Sequence, residues 1–251
     1  MRIQNFKIQK RVDNNAVVLY PTLIEVNGRN YLIDCGYEET YEEFIEGLAV
    51  LGVGISDLHA ILISHDDIDH IGALKLFKDA NPDLMVYCSQ TEERSISGKE
   101  KSERLMQAES NLPMMDDAYK PWAVKFINQL NGIKRIPVDM TLKDGDKIEN
   151  EIQTISTPGH TKGHISFYVP SHKTLIASDA LVIDADNFDL ANPQFTLDPR
   201  QAIKSVQRIR EVRAERIVCY HGGIVEESIH ERLTRLINKY TKEFEILIED
   251  K

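Results

Sequence analysis

Short strand-like runs followed by helical runs occur twice along this chain of 251 residues. In the first half, branched and apolar residues cluster at Thr22 to Val26 and at Tyr31 to Asp34, and the Asn27-Gly28 pair between them predicts a tight hairpin turn. Apolar residues then recur at helical spacing from Thr40 to Leu51. The first half should therefore begin as a sheet that is covered by one face of a helix.

The same order continues along the chain. A buried strand is predicted from His59 to Ile63, a helix from about His70 to Asp79, and a strand from Leu84 to Cys88. Further strands are predicted near Ile148 to Ser156, His164 to Val169, Thr174 to Ala177 and Arg216 to Tyr220, and helices at Pro199 to Val212 and Glu226 to Phe244.

The segment from Glu92 to about Asn131 is helical and charged, with a break at Asn111-Leu112-Pro113 and a restart at Pro121. It is predicted to be a helical insertion around residues 92–131. Two sheets packed face to face, with helices outside each, would bury the apolar faces of both halves. The predicted fold is therefore an α/β (α+β) protein, a four-layer αββα sandwich that forms a single domain over residues 1–251.

Composition excludes several classes of protein. The chain has 30 Lys and Arg against 40 Asp and Glu, a net charge of −10, which opposes binding to a nucleic acid backbone. No apolar run approaches the ~20 residues of a membrane span, and the N-terminus has no secretory h-region. The three cysteines Cys35, Cys88 and Cys219 are widely spaced, as expected of buried, reduced thiols. A cytoplasmic protein without nucleic acid or membrane partners is expected.

The string from Ile61 to Gly72, ILISHDDIDHIG, is a buried strand that ends in a loop crowded with His and Asp. Ligands placed just beyond a rigid strand can converge without burying an unpaired charge in the core. A solvated acidic loop, in which Asp69 caps the following helix, explains this string equally well. A calcium loop of the EF-hand type does not, because the required Gly and closing Glu are missing.

Three further strand ends carry the same kinds of side chain. His160 lies in the turn STPGHTKGH, Asp179 follows the predicted strand at Thr174 to Ala177, and His221 follows the one at Arg216 to Tyr220. A single His or Asp at the end of a strand is weak evidence for a metal site. Four strand ends that all display His or Asp are what a metal site on a two-sheet scaffold would require.

These motifs resemble those of the metallo-β-lactamase superfamily over nearly the whole chain. The family pattern is H-x-H-x-D-H, a T-P-G-H-T turn, an Asp and a final His, and the corresponding strings here are HDDIDH, STPGHTKGH, ASDA and YHGG. The string LIDCG at residues 32–36 is similar to the family's early LIDTG turn. The resemblance implies two divalent metal ions, with zinc favoured and iron or manganese as alternatives.

The resemblance also implies which residues hold each ion. His65, Asp67 and His160 would hold one, Asp69, His70 and His221 would hold the other, and Asp179 would bridge them. The predicted metal ligands are therefore His65, Asp67, Asp69, His70, His160, Asp179 and His221.

Asp67 departs from the family pattern, which has a histidine at this position. Two divalent ions, the three carboxylates of Asp67, Asp69 and Asp179 and a bridging hydroxide sum to 4 − 3 − 1 = 0. A neutral centre should be a weaker Lewis acid, and the added oxygen ligand shifts the preference from zinc toward iron or manganese.

Asp69 and His164 are the predicted catalytic side chains. His164 and Asp34 are also candidates to orient a metal ligand from behind, and an ordinary structural role explains each of them about as well. In the insertion, Met106, Met114, Met115, Tyr119, Trp122 and Phe126 could form an adaptable apolar wall for an acyl or aryl group, although helix packing explains them too.

The function implied is hydrolysis of a small-molecule ester, thioester or lactone by a hydroxide that bridges two metal ions. No G-x-S-x-G elbow suggests a covalent alternative. Hydrolysis of a β-lactam or phosphodiester stays open, and so does iron-dependent redox chemistry, since flavodiiron-like members place a carboxylate where Asp67 stands. The sequence does not determine the oligomeric state.

Overall fold

The computed structural model describes residues 1–12 and 15–244. The strands in this part of the chain are β1 (Arg2–Asn5), β2 (Ile8–Val12), β3 (Asn15–Leu19), β4 (Thr22–Val26), β5 (Arg29–Ile33), β6 (Leu58–Leu62), β7 (Met85–Ser89), β8 (Met140–Leu142), β9 (Lys147–Ile148), β10 (Ile152–Ser156), β11 (Ile165–Val169), β12 (Thr174–Ile176), β13 (Val182–Asp184), β14 (Asn187–Asp189), β15 (Arg216–Cys219) and β16 (Gly223–Val225). The α-helices are α1 (Tyr41–Val50), α2 (Ile68–Ile71), α3 (Leu74–Ala80), α4 (Glu93–Ile96), α5 (Glu103–Asn111), α6 (Lys120–Gly132), α7 (Pro199–Val212) and α8 (Ile229–Phe244).

Two six-stranded sheets form the centre of the molecule. Their strand orders are β1-β4-β5-β6-β7-β8 and β16-β15-β12-β11-β10-β9. One apolar cluster joins them face to face, with Ile33 and Leu62 from the first sheet and Phe167 and Val218 from the second. Each such side chain contributes about 1.5–3 kcal/mol when it is fully buried. The inner two layers of the predicted sandwich are therefore confirmed.

Helices cover the outer face of each sheet. Phe44 of α1 and Phe77 of α3 lie in the cluster outside the first sheet, and Ile203 of α7 and Leu236 of α8 lie in the cluster outside the second. The four-layer αββα sandwich is confirmed. None of the helices in the described ranges is long and apolar enough to cross a membrane.

The insertion consists of α4, α5 and α6. The predicted break at residues 111–113 is a short 3₁₀ turn, Leu112–Met114, and Pro121 lies in the first turn of α6. Leu105 and Leu130 join the apolar cluster outside the first sheet, so the insertion packs on the helical layer of that sheet.

Three predicted elements need correction. The helix expected from His70 to Asp79 is two helices, α2 and α3, because the amide of Ala73 donates to the carbonyl of Gly36 at 3.1 Å instead of continuing the helix. The strand expected from Ile148 to Ser156 is split into β9 and β10, since residues 149 and 150 adopt positive φ. Helix α8 begins at Ile229 rather than residue 226, directly after Ser228, whose φ is 52°.

Candidate metal centre

The structure brings all the predicted ligands to one end of the sandwich. Four of them follow strands at their carboxyl ends: His65 follows β6, His160 follows β10, Asp179 follows β12 and His221 follows β15. The other three come after His65, in the loop and in α2: Asp67, Asp69 and His70. Three overlapping triads have one ligand atom per residue within 4.8 Å of one another: His65, Asp67 and His160; His65, His70 and Asp179; Asp69, His70 and His221.

The first ligand group is His65, Asp67 and His160. The Oδ2 atom of Asp67 lies 2.9 Å from Nε2 of His160 and 3.5 Å from Nε2 of His65. Asp67, which the H-x-H-x-D-H register selects over Asp66, is thus the aspartate that faces these two histidines.

The second ligand group is Asp69, His70 and His221. The Oδ2 atom of Asp69 lies 3.1 Å from Nε2 of His221 and 3.7 Å from Nε2 of His70. Asp179 lies between the two groups: its Oδ1 is 3.4 Å from Nε2 of His70, and its Oδ2 is 3.6 Å from Nε2 of His160. One carboxylate thus faces both groups with different oxygens.

The residues present fit a pair of divalent cations. Nε2 of His65, Nε2 of His70 and Oδ1 of Asp179 are buried and have no hydrogen-bond partner. Leaving such polar atoms unpaired is costly, so a folded protein rarely gathers several of them without a ligand. Imidazole nitrogens and carboxylate oxygens are the donors that zinc, iron and manganese accept.

Asp34 orients two of the histidines. Its Oδ2 accepts a hydrogen bond from Nδ1 of His70 at 2.9 Å and others from the hydroxyls of Ser64 and Ser178, each at 2.8 Å. The Ser64 hydroxyl in turn lies 2.9 Å from Nδ1 of His65. With their Nδ1 atoms engaged, both rings point Nε2 toward the shared centre, which is the arrangement that ligand-orienting carboxylates produce.

His164 lies behind the centre with both ring nitrogens engaged. Its Nδ1 is 2.8 Å from the Thr157 hydroxyl, and its Nε2 accepts the backbone N–H of Asp179 at 3.2 Å. Burial and the nearby His65 hold the pKa of His164 well below its usual value, so the ring is neutral. This geometry favours a positioning role for His164 over the catalytic role predicted from the sequence.

The turn that presents His160 requires glycine. Gly159 has φ 137°, and a Cβ there would lie 2.3 Å from the backbone nitrogen of Ala202 in α7. The carbonyl of Gly159 accepts the amide of Asp198 at 2.9 Å, and Oε1 of Glu92 accepts the amide of Gly163 at the same distance. The loop is therefore held by both α7 and the start of the insertion.

Charges in the two groups differ before any metal is considered. Burial alone would lower the pKa of His70, but the carboxylates of Asp179, Asp34 and Asp69 raise it well above its usual value. Burial and the neighbouring His70 instead lower the pKa of His65. A proton therefore occupies the second ligand group more readily than it occupies His65.

Arg104, in α5, is a site residue that the sequence analysis missed. It is only 2% exposed, and it donates from Nε to Oδ1 of Asp67 at 3.1 Å and from Nη2 to Oδ2 at 2.9 Å. Despite burial, Arg104 and His160 hold the pKa of Asp67 well below its usual range. The sum of zero predicted from the sequence counts only the ions, their ligands and a hydroxide; Arg104 adds a positive charge beside Asp67 that this sum does not include.

A cavity of about 340 Å³, the site cavity, opens onto both ligand groups. Tyr37, another residue missed from the sequence, lines it together with Asp67, Asp69, His160 and Asp179. The Asp69 carboxylate and burial raise the pKa of Tyr37, so its phenol keeps its proton. Its position directly after LIDCG was the only signal in the sequence.

A larger apolar cavity of about 730 Å³ adjoins the site cavity, and both are lined by Arg104, Phe126 and Phe195. Met115, Tyr119, Trp122 and Phe126 line it as expected. Met114 and Met106 do not: their exposed fractions are 81% and 46%, and neither lines the cavity. The apolar wall predicted for the insertion is thus present with a smaller set of residues.

The three cysteines are free and buried. Cys219 lies in the apolar cluster outside the second sheet, and burial raises the pKa of its thiol. This placement agrees with the inert, buried thiol predicted from the sequence.

Known proteins resemble this chain in sequence and in fold. The chain is 26% identical over 229 residues to the probable metallo-hydrolase YflN of Bacillus subtilis, covering 83% of this chain and 81% of that protein. It is 31% identical over 94 residues, 36% of each chain, to an N-acyl homoserine lactonase of Bacillus thuringiensis. Its fold matches the metallo-beta-lactamase family protein TTHA1429 of Thermus thermophilus with a TM-score of 0.71 at 20% identity, covering 97% of this chain and 80% of that one.

A family model also matches most of the chain. Residues 20–221 match the model described as the metallo-beta-lactamase superfamily, and this range contains every member of both ligand groups. Relatives named as probable metallo-hydrolases accompany the match, so the chain is a hydrolase of metal-binding type. The protein belongs to the metallo-beta-lactamase superfamily.

Proposed function

We propose that this protein is a dinuclear metal-dependent hydrolase that cleaves a small-molecule lactone, ester or thioester with an apolar acyl or aryl part. The observation that carries the proposal is Asp179, whose two oxygens face the two ligand groups at the floor of the site cavity. The first ligand group would hold one ion and the second ligand group the other. Bound ions of this kind supply Lewis acidity and an activated water.

The chain's own residues would orient the substrate in the site cavity. Tyr37 keeps its proton, so its hydroxyl can donate a hydrogen bond to a substrate oxygen. The carboxylate of Asp69 is ionised, because His70 and His221 lower its pKa against the effect of burial. Asp69 lines the same cavity, so its carboxylate can accept a proton there.

The apolar cavity favours one part of the substrate class. Its volume of about 730 Å³ and its Trp122, Phe126 and Met115 walls suit a hydrocarbon chain or an aromatic ring. The partial similarity to an N-acyl homoserine lactonase supports the same choice, since that name combines an acyl group with a lactone. The net charge of −10 supports a small-molecule substrate rather than nucleic acid.

The test is reconstitution of metal-free protein with zinc, manganese or iron, each followed by assays on acyl lactones, thioesters, β-lactams and phosphodiesters. We expect two ions per chain and hydrolysis of lactones or thioesters that improves with acyl length. Oxygen consumption by the iron form without hydrolysis would instead assign the protein to redox chemistry.

A matched pair of protein variants tests where the acyl part of the substrate binds. Met115→Ala should weaken the preference for long acyl chains, whereas Met114→Ala should not, because only Met115 lines the apolar cavity. Equal effects of the two substitutions would contradict the assignment of this cavity.

We also propose that the protein works in the cytoplasm. Three free, buried thiols support a reducing compartment, where disulfides are rare. Fractionation of cells that express the tagged chain would test this.

A further inference from the structure

Arg104 is buried beside residues that would hold a metal ion. A guanidinium always carries its positive charge. A buried cation beside the residues that would hold a divalent ion would repel that ion. The side chain is nevertheless 2% exposed and forms a two-point fork with Asp67. A positive charge in this position needs a partner whose own charge balances it.

Asp67 is that partner. This residue carries −1 where the family pattern has a neutral imidazole, and Arg104 adds +1, so the pair sums to zero. Its fork uses both carboxylate oxygens, and each oxygen keeps further lone-pair capacity for another contact. Oδ2 of Asp67 still lies 2.9 Å from Nε2 of His160 and 3.5 Å from Nε2 of His65, so it faces the other two members of the first ligand group.

The guanidinium has two further contacts besides Asp67. Its Nη1 donates to Oε1 of Gln107 at 3.1 Å, and its Cζ lies 5.6 Å from the centre of the Phe195 ring. With these contacts and the fork on Asp67, Arg104 is fixed by its own helix, by an aromatic ring and by a carboxylate.

We propose that Asp67 and Arg104 act as one unit that replaces the usual imidazole: Asp67 offers an oxygen to the first ion, and Arg104 restores the net charge of a histidine. Arg104 is then a positioning residue that tunes metal affinity. This inference rests on the proposed metal centre. It also means that the insertion contributes to the first ligand group through α5.

The test is a cycle of Asp67→His, Arg104→Met and the double variant, with zinc affinity measured by competition with a chromophoric chelator and zinc content by mass spectrometry. Asp67→His should weaken binding of the more weakly bound ion by more than about tenfold, because Arg104 loses its counter-charge. Arg104→Met should tighten that binding by a similar factor. The double variant, whose charge equals that of the wild type, should return to within about threefold of it.

Unfolding curves of each variant control for damage to the fold. If Arg104→Met does not fold, Arg104→Lys keeps the charge without the fork, and its zinc affinity should stay within about threefold of the wild type. Gln107→Ala removes another Arg104 partner without touching Asp67 and is the matched control, with unchanged affinity expected.

Several results would overturn the inference. Arg104→Met could leave zinc affinity unchanged or weaken it in a folded protein, or Arg104→Lys could lower it as far as Asp67→His does. A wild type that holds one zinc ion while Arg104→Met holds two would show that Arg104 takes the place of an ion. Wild-type protein that binds no zinc, manganese or iron would overturn the proposed function as well, whereas two bound ions with no response to Arg104 would overturn this inference alone.

Discussion

In the first ligand group, Arg104 donates two hydrogen bonds to the proposed ligand Asp67, whereas in the second ligand group Asp34 accepts one from the proposed ligand His70. A cation therefore supports an anionic ligand on one side, and an anion supports a neutral ligand on the other. Hydrogen bonding to a guanidinium withdraws charge from a carboxylate, and hydrogen bonding to a carboxylate makes an imidazole more basic.

This difference ranks the two groups as metal sites. The second ligand group should bind its ion more tightly, and the first should lose its ion first when a chelator is added. Asp179 faces both groups, with one oxygen toward each, so it should couple them. Substitutions can therefore either remove that coupling or act on one group alone.

Asp179→Asn should have the largest effect. It removes charge from the carboxylate that faces both groups, so we expect both ions to bind more weakly and kcat/KM to fall by more than about 100-fold, since even substitutions outside the ligand shell cost ~10–100-fold. Metal content after dialysis and steady-state kinetics measure these effects. Asp184→Asn, at an exposed position on the neighbouring strand β13, is the control. Retention of both ions by the Asp179 variant would remove the basis for a shared ligand.

Asp34→Asn should weaken metal binding by about 10–100-fold, with the opposite sign to Arg104→Met. The reason is that an amide oxygen is a poorer acceptor for Nδ1 of His70, so the ring is both less basic and less firmly oriented. Chelator competition measures the affinity. If Asp34→Asn and Arg104→Met shift it in the same direction, the contrast between the two groups is wrong.

Sequence patterns predicted the layers and a display of His and Asp at strand ends, whereas the set of ligands came from the resemblance to the family. Strand periodicity located β6, β12 and β15, and His65, Asp179 and His221 each follow one of these strands closely. Strands β12 and β15 are neighbours in one sheet, and β6 lies in the sheet packed against it, so placement at these strand ends indicates proximity. That argument uses only local patterns and the packing of two sheets.

Arg104 could not be predicted in this way. It stands 37 positions from Asp67, on helix α5, where Glu103 and Glu109 make a charged residue look like ordinary solvated surface. Its neighbour Leu105 and the residue one turn later, Ala108, indicate a buried face, but only the tertiary structure shows that this face meets Asp67. The split between α2 and α3 has the same origin, since the competing acceptor for Ala73 is the distant Gly36.

The number of protons released on metal binding should differ between the two ligand groups. At neutral pH, the raised pKa values of His70 and His221 mean that the metal-free second ligand group holds protons that an ion must displace. Affinity there should therefore rise with pH, by about tenfold per pH unit for each proton released, until the pH exceeds the raised pKa values. His65 has a lowered pKa and no proton to release, so its group should respond less.

Calorimetry of zinc binding in two buffers of different ionisation enthalpy counts the protons released in each step. The tighter step should release at least one proton at neutral pH, and the weaker step should release fewer. Release confined to the weaker step would reverse the assignment of affinities to the two groups.

Tyr37→Phe should have the smallest effect and should act on catalysis without changing metal binding. The Asp69 carboxylate of the second ligand group is the main cause of the raised pKa of Tyr37, which places the phenol near that group in the site cavity. Loss of one neutral hydrogen bond to the substrate should lower kcat/KM by about fivefold. Tyr41→Phe, whose ring packs on Phe77 and does not line the site cavity, controls for loss of a phenol. A change in zinc affinity in Tyr37→Phe would make Tyr37 part of the metal site, and equal kinetics in both variants would remove it from catalysis.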